Sequence, residues 1–152
     1  ANMLIRGIGM TRKEQQVAHT PHTDITIDQL GEMQPGLARL MAELSDRYWI
    51  LYYAAKAGNW KLAALQASEV IKALRIGMIT RPKYNTHVEA FINGPFKAIE
   101  SAIQEREWVT FERAYNIGIA SANAYHKAWD HEEIVWQLPD EPPKHLKLTP
   151  AD

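Results

Sequence analysis

The sequence predicts an all-α protein: an antiparallel up-down-up-down four-helix bundle over 34–137, with an irregular N-terminal arm (1–33) and a Pro-rich C-terminal tail (138–152). Three observations predict it. Apolar residues recur with a 3.6-residue period in four successive stretches of roughly 20 to 27 residues. Helix breakers separate the stretches. The connections between them are short, so consecutive helices must pack as neighbours that alternate in direction.

The arm is polar, with His19-Thr20-Pro21-His22 followed by Ile25-Thr26-Ile27, whose alternation suits an extended segment. Pro35 suits a first helical turn, and Leu37, Leu40, Met41, Leu44, Tyr48, Leu51, Tyr52 and Ala55 form a wide apolar stripe up to Gly58. The second helix runs from Trp60 to Arg81 through Ala63, Ala67, Val70, Ile71, Leu74 and Met78, and Pro82 ends it. The third spans about Asn85 to Glu107, with Val88, Phe91, Ile92, Phe96, Ile99, Ala102 and Ile103 inward. Asn93-Gly94-Pro95 interrupts its middle, which predicts a kink or short break. The fourth starts at Trp108 or Val109 and carries Phe111, Tyr115, Gly118, Ile119, Ala122, His126 and Trp129 inward to about Ile134. Leu138 to Pro150 holds four prolines and no period, the pattern of a tail. Trp60 and Trp108 each follow a polar corner, as plugs at the two helix hairpins or as a trace of duplication.

The chain's 152 residues, 46% hydrophobic and 23% charged, suffice for one domain with a sizeable core. A net charge of −1 lacks the basic footprint of a protein that grips nucleic acid or an anionic membrane. With no cysteine, disulfides, thiolate catalysis, Cys-ligated zinc or iron–sulfur clusters and thioether-linked haem are excluded. No run of about 18 apolar residues exists, and Ala1 to Val17 lacks the apolar core of a signal peptide. A cytoplasmic location is expected, or a periplasmic one after removal of a leader.

In such a bundle the start of the first helix, the end of the second, the start of the third and the end of the fourth share one end. Counting at about 1.5 Å per residue places Met41, Leu44 and Tyr48 near Leu74 and Met78, near Tyr84, His87, Val88 and Phe91, and near Tyr125, His126 and Trp129. The expected wall is aromatic and Met-rich with one or two imidazoles, the lining of a small-molecule cavity. His126 has three readings: a core histidine, a metal or haem ligand, and a general acid or base. Tyr48 or Tyr52 would share its proton. No Glu-x-x-His occurs, which argues against a carboxylate-bridged di-metal site. His19, His22 and Asp24 suit only adventitious metal, and Gly7-Ile8-Gly9 lacks the context of a phosphate loop.

Ser121-Ala122-Asn123-Ala124-Tyr125-His126-Lys127-Ala128, then Ile134-Val135 and Leu138-Pro139-Asp140-Glu141-Pro142-Pro143, resemble the end of a bundle-type cytochrome c of the c-prime kind. There Cys-Asn-Ala-Cys-His closes the fourth helix ahead of a Pro-rich tail. The resemblance extends loosely over 34–143, including Phe111-Glu112-Arg113-Ala114-Tyr115. It implies the bundle, and a cavity between the first and fourth helices that haem would otherwise fill. Ala122 and Tyr125 stand at the cysteine positions and His126 at that of the axial ligand, so covalent haem is impossible here. Tyr125 would help fill the vacated space.

The expected function is binding of a small apolar or aromatic molecule at one end of a haem-free bundle, without cofactor. Isomerase, lyase or hydrolase chemistry would pass through His126, with Tyr48 or Tyr52 assisting, and Met41, Leu44, Met78, His87, Phe91, Tyr125 and Trp129 would bind the molecule. The alternatives are non-covalent haem on His126, for electron transfer or gas sensing, and a structural bundle without ligand. A homodimer is expected, through off-stripe residues such as Leu62, Leu65 and Ile76.

Overall fold

The computed structural model describes residues 17–151, whose contacts fall into two units, one ending at Gln34 and the other starting at Pro35. Gly7-Ile8-Gly9 and the rest of the arm before Val17 lie outside the described residues.

In the first unit, β1 (Val17–His19) pairs antiparallel with β2 (Asp24–Thr26) in the register Val17↔Thr26, Ala18↔Ile25, His19↔Asp24. The Thr20 main-chain N–H donates to the Thr23 carbonyl to close the turn, and His19 Nδ1 meets Asp24 Oδ1 at 2.7 Å across the ladder. Helix α1 (Ile27–Met33) follows at once. Thr26 caps it: its hydroxyl accepts the Gln29 N–H while Gln29 Oε1 accepts the Thr26 N–H. The expectation of an irregular arm is therefore corrected for these residues. Thr26 both ends a strand and starts a helix, and the fold is mostly helical with a two-stranded hairpin rather than purely α.

The second unit contains α2 (Leu37–Lys56), α3 (Trp60–Thr80), a 3₁₀ turn (Pro82–Tyr84), α4 (Asn85–Phe91), a π turn (Ile92–Phe96), α5 (Lys97–Glu105) and α6 (Trp108–Ala128). Gly58 turns the chain out of α2 at a left-handed φ of 76°, and the Asn59 side chain caps α3 by accepting the Leu62 N–H. Pro95 lacks an N–H and cannot close a regular turn, so the predicted interruption takes the form of the π turn. Arg106, left-handed at φ 56°, ends α5.

Contacting pairs run antiparallel. Leu37 and Leu40 pack over Gly77, and Arg47 donates to Gln66 Oε1, along α2 and α3. Tyr48 meets Tyr115, and Tyr52 meets Glu112, along α2 and α6. Leu51, Val70, Phe96, Ile99, Phe111 and Tyr115 are fully buried. Trp60 and Trp108 both pack on Phe111, at 5.9 and 5.8 Å between ring centres, so the two corner tryptophans plug one spot.

Helix α6 stops at Ala128, short of the expected Ile134. Trp129 caps it, and Asp130 turns the chain back in a left-handed conformation at φ 56°. The tail that follows lies along α2. Trp136 donates to Ser45 Oγ, Tyr53 to the Pro139 and Asp140 carbonyls, and Trp49 to the Glu141 carbonyl. Among the described residues no helix is long and apolar enough to cross a membrane.

Candidate functional site

The sequence-predicted residues separate into two places. The first lies between α2 and α6. Tyr48 and Tyr115 stack at 4.3 Å and are tied reciprocally: the Tyr48 hydroxyl donates to the Tyr115 carbonyl at 3.3 Å and the Tyr115 hydroxyl to the Tyr48 carbonyl at 2.6 Å. Trp136, arriving from the tail, stands edge-on over Tyr48 at 5.3 Å. The gap between these helices, where the resemblance implies room for haem, thus holds three of the chain's own rings. Tyr52 donates to Glu112 Oε1 at 2.8 Å and sits against Trp108. Burial raises the pKa of Tyr48 and Tyr115 far above the ordinary tyrosine value. Tyr52 is pushed up to about 12, by burial first and then by its bond to Glu112.

The second place is where α3 ends, α4 begins and α6 ends. His87 stacks on Tyr125 at 4.8 Å between ring centres, Trp129 donates its indole N–H to His87 Nδ1, and Tyr84 stands edge-on to Trp129 at 4.6 Å. Tyr125 and Trp129 are one helical turn apart, so both meet α4. An indole N–H can only donate. His87 Nδ1 is therefore the acceptor, and the neutral ring carries its proton on Nε2. His126 has the opposite arrangement. Its Nδ1 meets the Ile134 carbonyl at 3.0 Å, and a carbonyl can only accept, so Nδ1 carries a proton and, in the neutral ring, Nε2 presents a lone pair. Nearby in the chain, Thr80 Oγ1 and Asn85 Oδ1 are buried without a hydrogen-bond partner among the described residues. Unpaired buried polar atoms are costly, and this corner of the fold holds two of them.

The structure brings His87, Tyr125 and Trp129 together, but not His126 with Tyr48 or Tyr52. His126 lies eleven residues beyond Tyr115 on α6, roughly 16 Å along the axis, and its ring hydrogen-bonds to the Ile134 carbonyl rather than to either tyrosine. Leu44 is a buried core residue, Met41 packs at the core margin, and Phe91 packs on Phe96 at 5.8 Å. Met78 is half-buried on α3 one turn beyond Leu74.

Sequence reasoning missed the tail's part. Asn123 grips the main chain of Trp136 in both directions, its Nδ2 donating to the Trp136 carbonyl and its Oδ1 accepting the Trp136 N–H, each at 2.9 Å. A signal was present: Ser45, Trp49 and Tyr53 recur every four residues beside the apolar stripe, a row of side-chain donors on one face of α2. Comparison with protein-family models, with curated proteins and with solved structures finds no match to this chain.

Proposed function

We propose that α2, α3, α4 with α5, and α6 form an up-down-up-down four-helix bundle, haem-free and cytochrome c-prime-like, that binds a small apolar or aromatic molecule at the end holding His87, Tyr125, His126 and Trp129. The antiparallel pairings of α2 with α3 and of α2 with α6 support the architecture. One observation carries the binding reading: two imidazoles at this end are fixed in complementary tautomers, His87 with an Nε2–H to donate and His126 with an Nε2 lone pair to accept. Rings give an apolar molecule its faces, and the imidazoles orient its polar end. His126 is the proton acceptor of this reading and His87 the donor, the two roles that cofactor-free isomerase, lyase or hydrolase chemistry divides between groups.

An aromatic dye, 8-anilinonaphthalene-1-sulfonate, tests the site. Saturable binding that quenches indole emission, weakened at least tenfold in His87→Ala and Trp129→Ala, is the expected result. Affinity equal in both variants and the unsubstituted protein refutes it. Proton-coupled NMR of the ring nitrogens checks the two tautomers directly.

The His126 lone pair also favours a second reading, non-covalent haem. Added haemin would then give a Soret band that His126→Ala abolishes, and no band ends that reading. The exposed Leu65, Ile76 and Ile79 on α3 support a homodimer through that helix, which Ile79→Glu would dissociate in light scattering.

A further inference from the structure

The segment 129–135 contains neither Gly nor Pro, and Glu132 and Glu133 are good helix formers. No residue in it forbids a helix. Yet the helix stops at Ala128 and Asp130 adopts φ 56°, a conformation that glycine takes freely and an L-residue does not. The turn is closed by the Asp130 N–H on the Lys127 carbonyl, the His131 N–H on the His126 carbonyl and the His126 ring on the Ile134 carbonyl, and the chain beyond it is tied down as well. Asn123 clasps the Trp136 main chain, the Trp136 indole donates to Ser45 Oγ at 2.6 Å, and its ring covers Tyr48. Farther along, Tyr53 donates to the Pro139 and Asp140 carbonyls at 2.7 Å, Trp49 to the Glu141 carbonyl at 2.9 Å, and Asn59 to the Thr149 carbonyl at 3.3 Å. The contacts on α2 and at Asn59 are read from groups of the tail that any copy of it would present. Nothing in them requires that donor and acceptor belong to one chain.

We propose that the strap 136–149 exchanges between two copies of this chain. In the exchanged form 129–135 continues α6 for about two further turns. The strap then leaves its own α2 and lies on the Ser45, Trp49 and Tyr53 row of the second copy, which returns its own strap by two-fold symmetry. The strap contacts on α2 are the same in both forms and the Asn123 clasp on Trp136 passes to Asn123 of the second copy, so the balance rests on the turn, on the His126–Ile134 bond within it and on concentration. The closed form carries a left-handed Asp130, and the exchanged form replaces it with helix. The exchange does not use the α3 face, but it opens the bond between His126 Nδ1 and the Ile134 carbonyl on which the ligand reading draws.

The chain has no cysteine, which makes a clean test available. In the double variant Asn59→Cys/Thr149→Cys, oxidation joins the strap to whichever α2–α3 corner it occupies. A closed chain gives a crosslinked monomer and an exchanged pair gives a covalent dimer. Chains bearing one cysteine each, run separately, report random collision. After refolding from urea, the dimer share is expected to rise with protein concentration. It should also rise in Asp130→Ala and fall in Asp130→Gly, with about a tenfold difference in dimer-to-monomer ratio between the two. Crosslinked monomer alone at every concentration, or equal shares in the two Asp130 variants, overturns the proposal. If the cysteines impair folding, light scattering on the Ile79→Glu chain, which lacks the α3 dimer, decides: dimer that forms on refolding and persists on dilution supports exchange, and monomer throughout refutes it.

Discussion

Gly118→Ala separates two opposing effects at one buried position. In a helix interior, alanine is favoured over glycine by about 1 kcal/mol. At Gly118, however, the new Cβ would lie far inside van der Waals contact with the Tyr48 hydroxyl, and at 3.2 Å from Ile99 Cδ1. Tyr48 cannot yield freely, because it is stacked on Tyr115, bonded to its carbonyl and covered by Trp136. Overpacking of this kind costs about 1–3 kcal/mol. Loss of the hydroxyl's buried bond costs about 1–3 kcal/mol more. Net destabilisation of about 2–4 kcal/mol follows, which at about 2–4 °C per kcal/mol for a chain of this size lowers Tm by roughly 10 °C. Thermal and urea melts followed by circular dichroism measure it. Tyr48→Phe removes the clashing oxygen, and the next ring atom lies 3.5 Å from the new methyl, an ordinary contact. In that background Gly118→Ala should cost almost nothing or stabilise by up to about 1 kcal/mol. A Gly118→Ala protein as stable as the unsubstituted one, or an equal loss in both backgrounds, would refute the packing described for Tyr48.

Arg106→Gly should stabilise by about 1 kcal/mol, since Arg106 holds a left-handed helix end that glycine adopts without strain; urea midpoints check it. Asn59→Ala should destabilise by about 1 kcal/mol through loss of the α3 cap, measured in the same way. Alkaline titration offers a test with a defined sign. Tyr48, Tyr52 and Tyr115 have folded pKa values raised above the ordinary 10.0 by burial, so their contribution is complete below pH 10 and is lost as pH rises, for Tyr52 through about 12. Unfolding free energy should fall above pH 10 by about 1.4 kcal/mol per pH unit for each tyrosine still protonated in the fold. Tyrosinate absorbance from these three should then appear in step with unfolding; smooth titration of the full tyrosine complement in a folded chain would contradict the burial. Trp136→Ala should cost about 2–4 kcal/mol and expose Tyr48, read as loss of near-ultraviolet circular dichroism together with a lower urea midpoint.

Much of the helical content was legible because burial leaves a period. The stripe from Leu37 to Ala55 and the one from Trp60 to Met78 coincide with α2 and α3, and Asn93-Gly94-Pro95 falls within the π turn. Of the hairpin at 17–26 only the extended stretch at Ile25-Thr26 was legible; its partner strand and register were not, since three-residue strands are short and are held by main-chain bonds. The end of α6 was hidden for a different reason: 129–135 contains no breaker, and the turn there is closed by main-chain bonds and the His126 ring, with Trp136 beyond it docked on residues about ninety positions earlier. At the candidate site, helical spacing identified Tyr125, His126 and Trp129 as neighbours on one helix, but the bond from Trp129 to His87 spans 42 residues and depends on rotamers. The separation of His126 from Tyr48 and Tyr52 was likewise hidden, because counting gives height along one helix but not the offset between α2 and α6, which the pairing of Tyr48 with Tyr115 sets.

The widened turn at Ile92–Phe96 acts as an angular spacer. Each helical residue advances the chain by about 100°, so deleting one residue there to regain an uninterrupted spiral would swing 85–91 by that amount against Phe96, Ile99 and Ile103. His87 would leave Tyr125 and Trp129, while the hydrocarbon packing below kept its seat. A related chain one residue shorter in this stretch would share the scaffold yet present different chemistry at its tip, an alteration that no comparison of aligned side chains would flag.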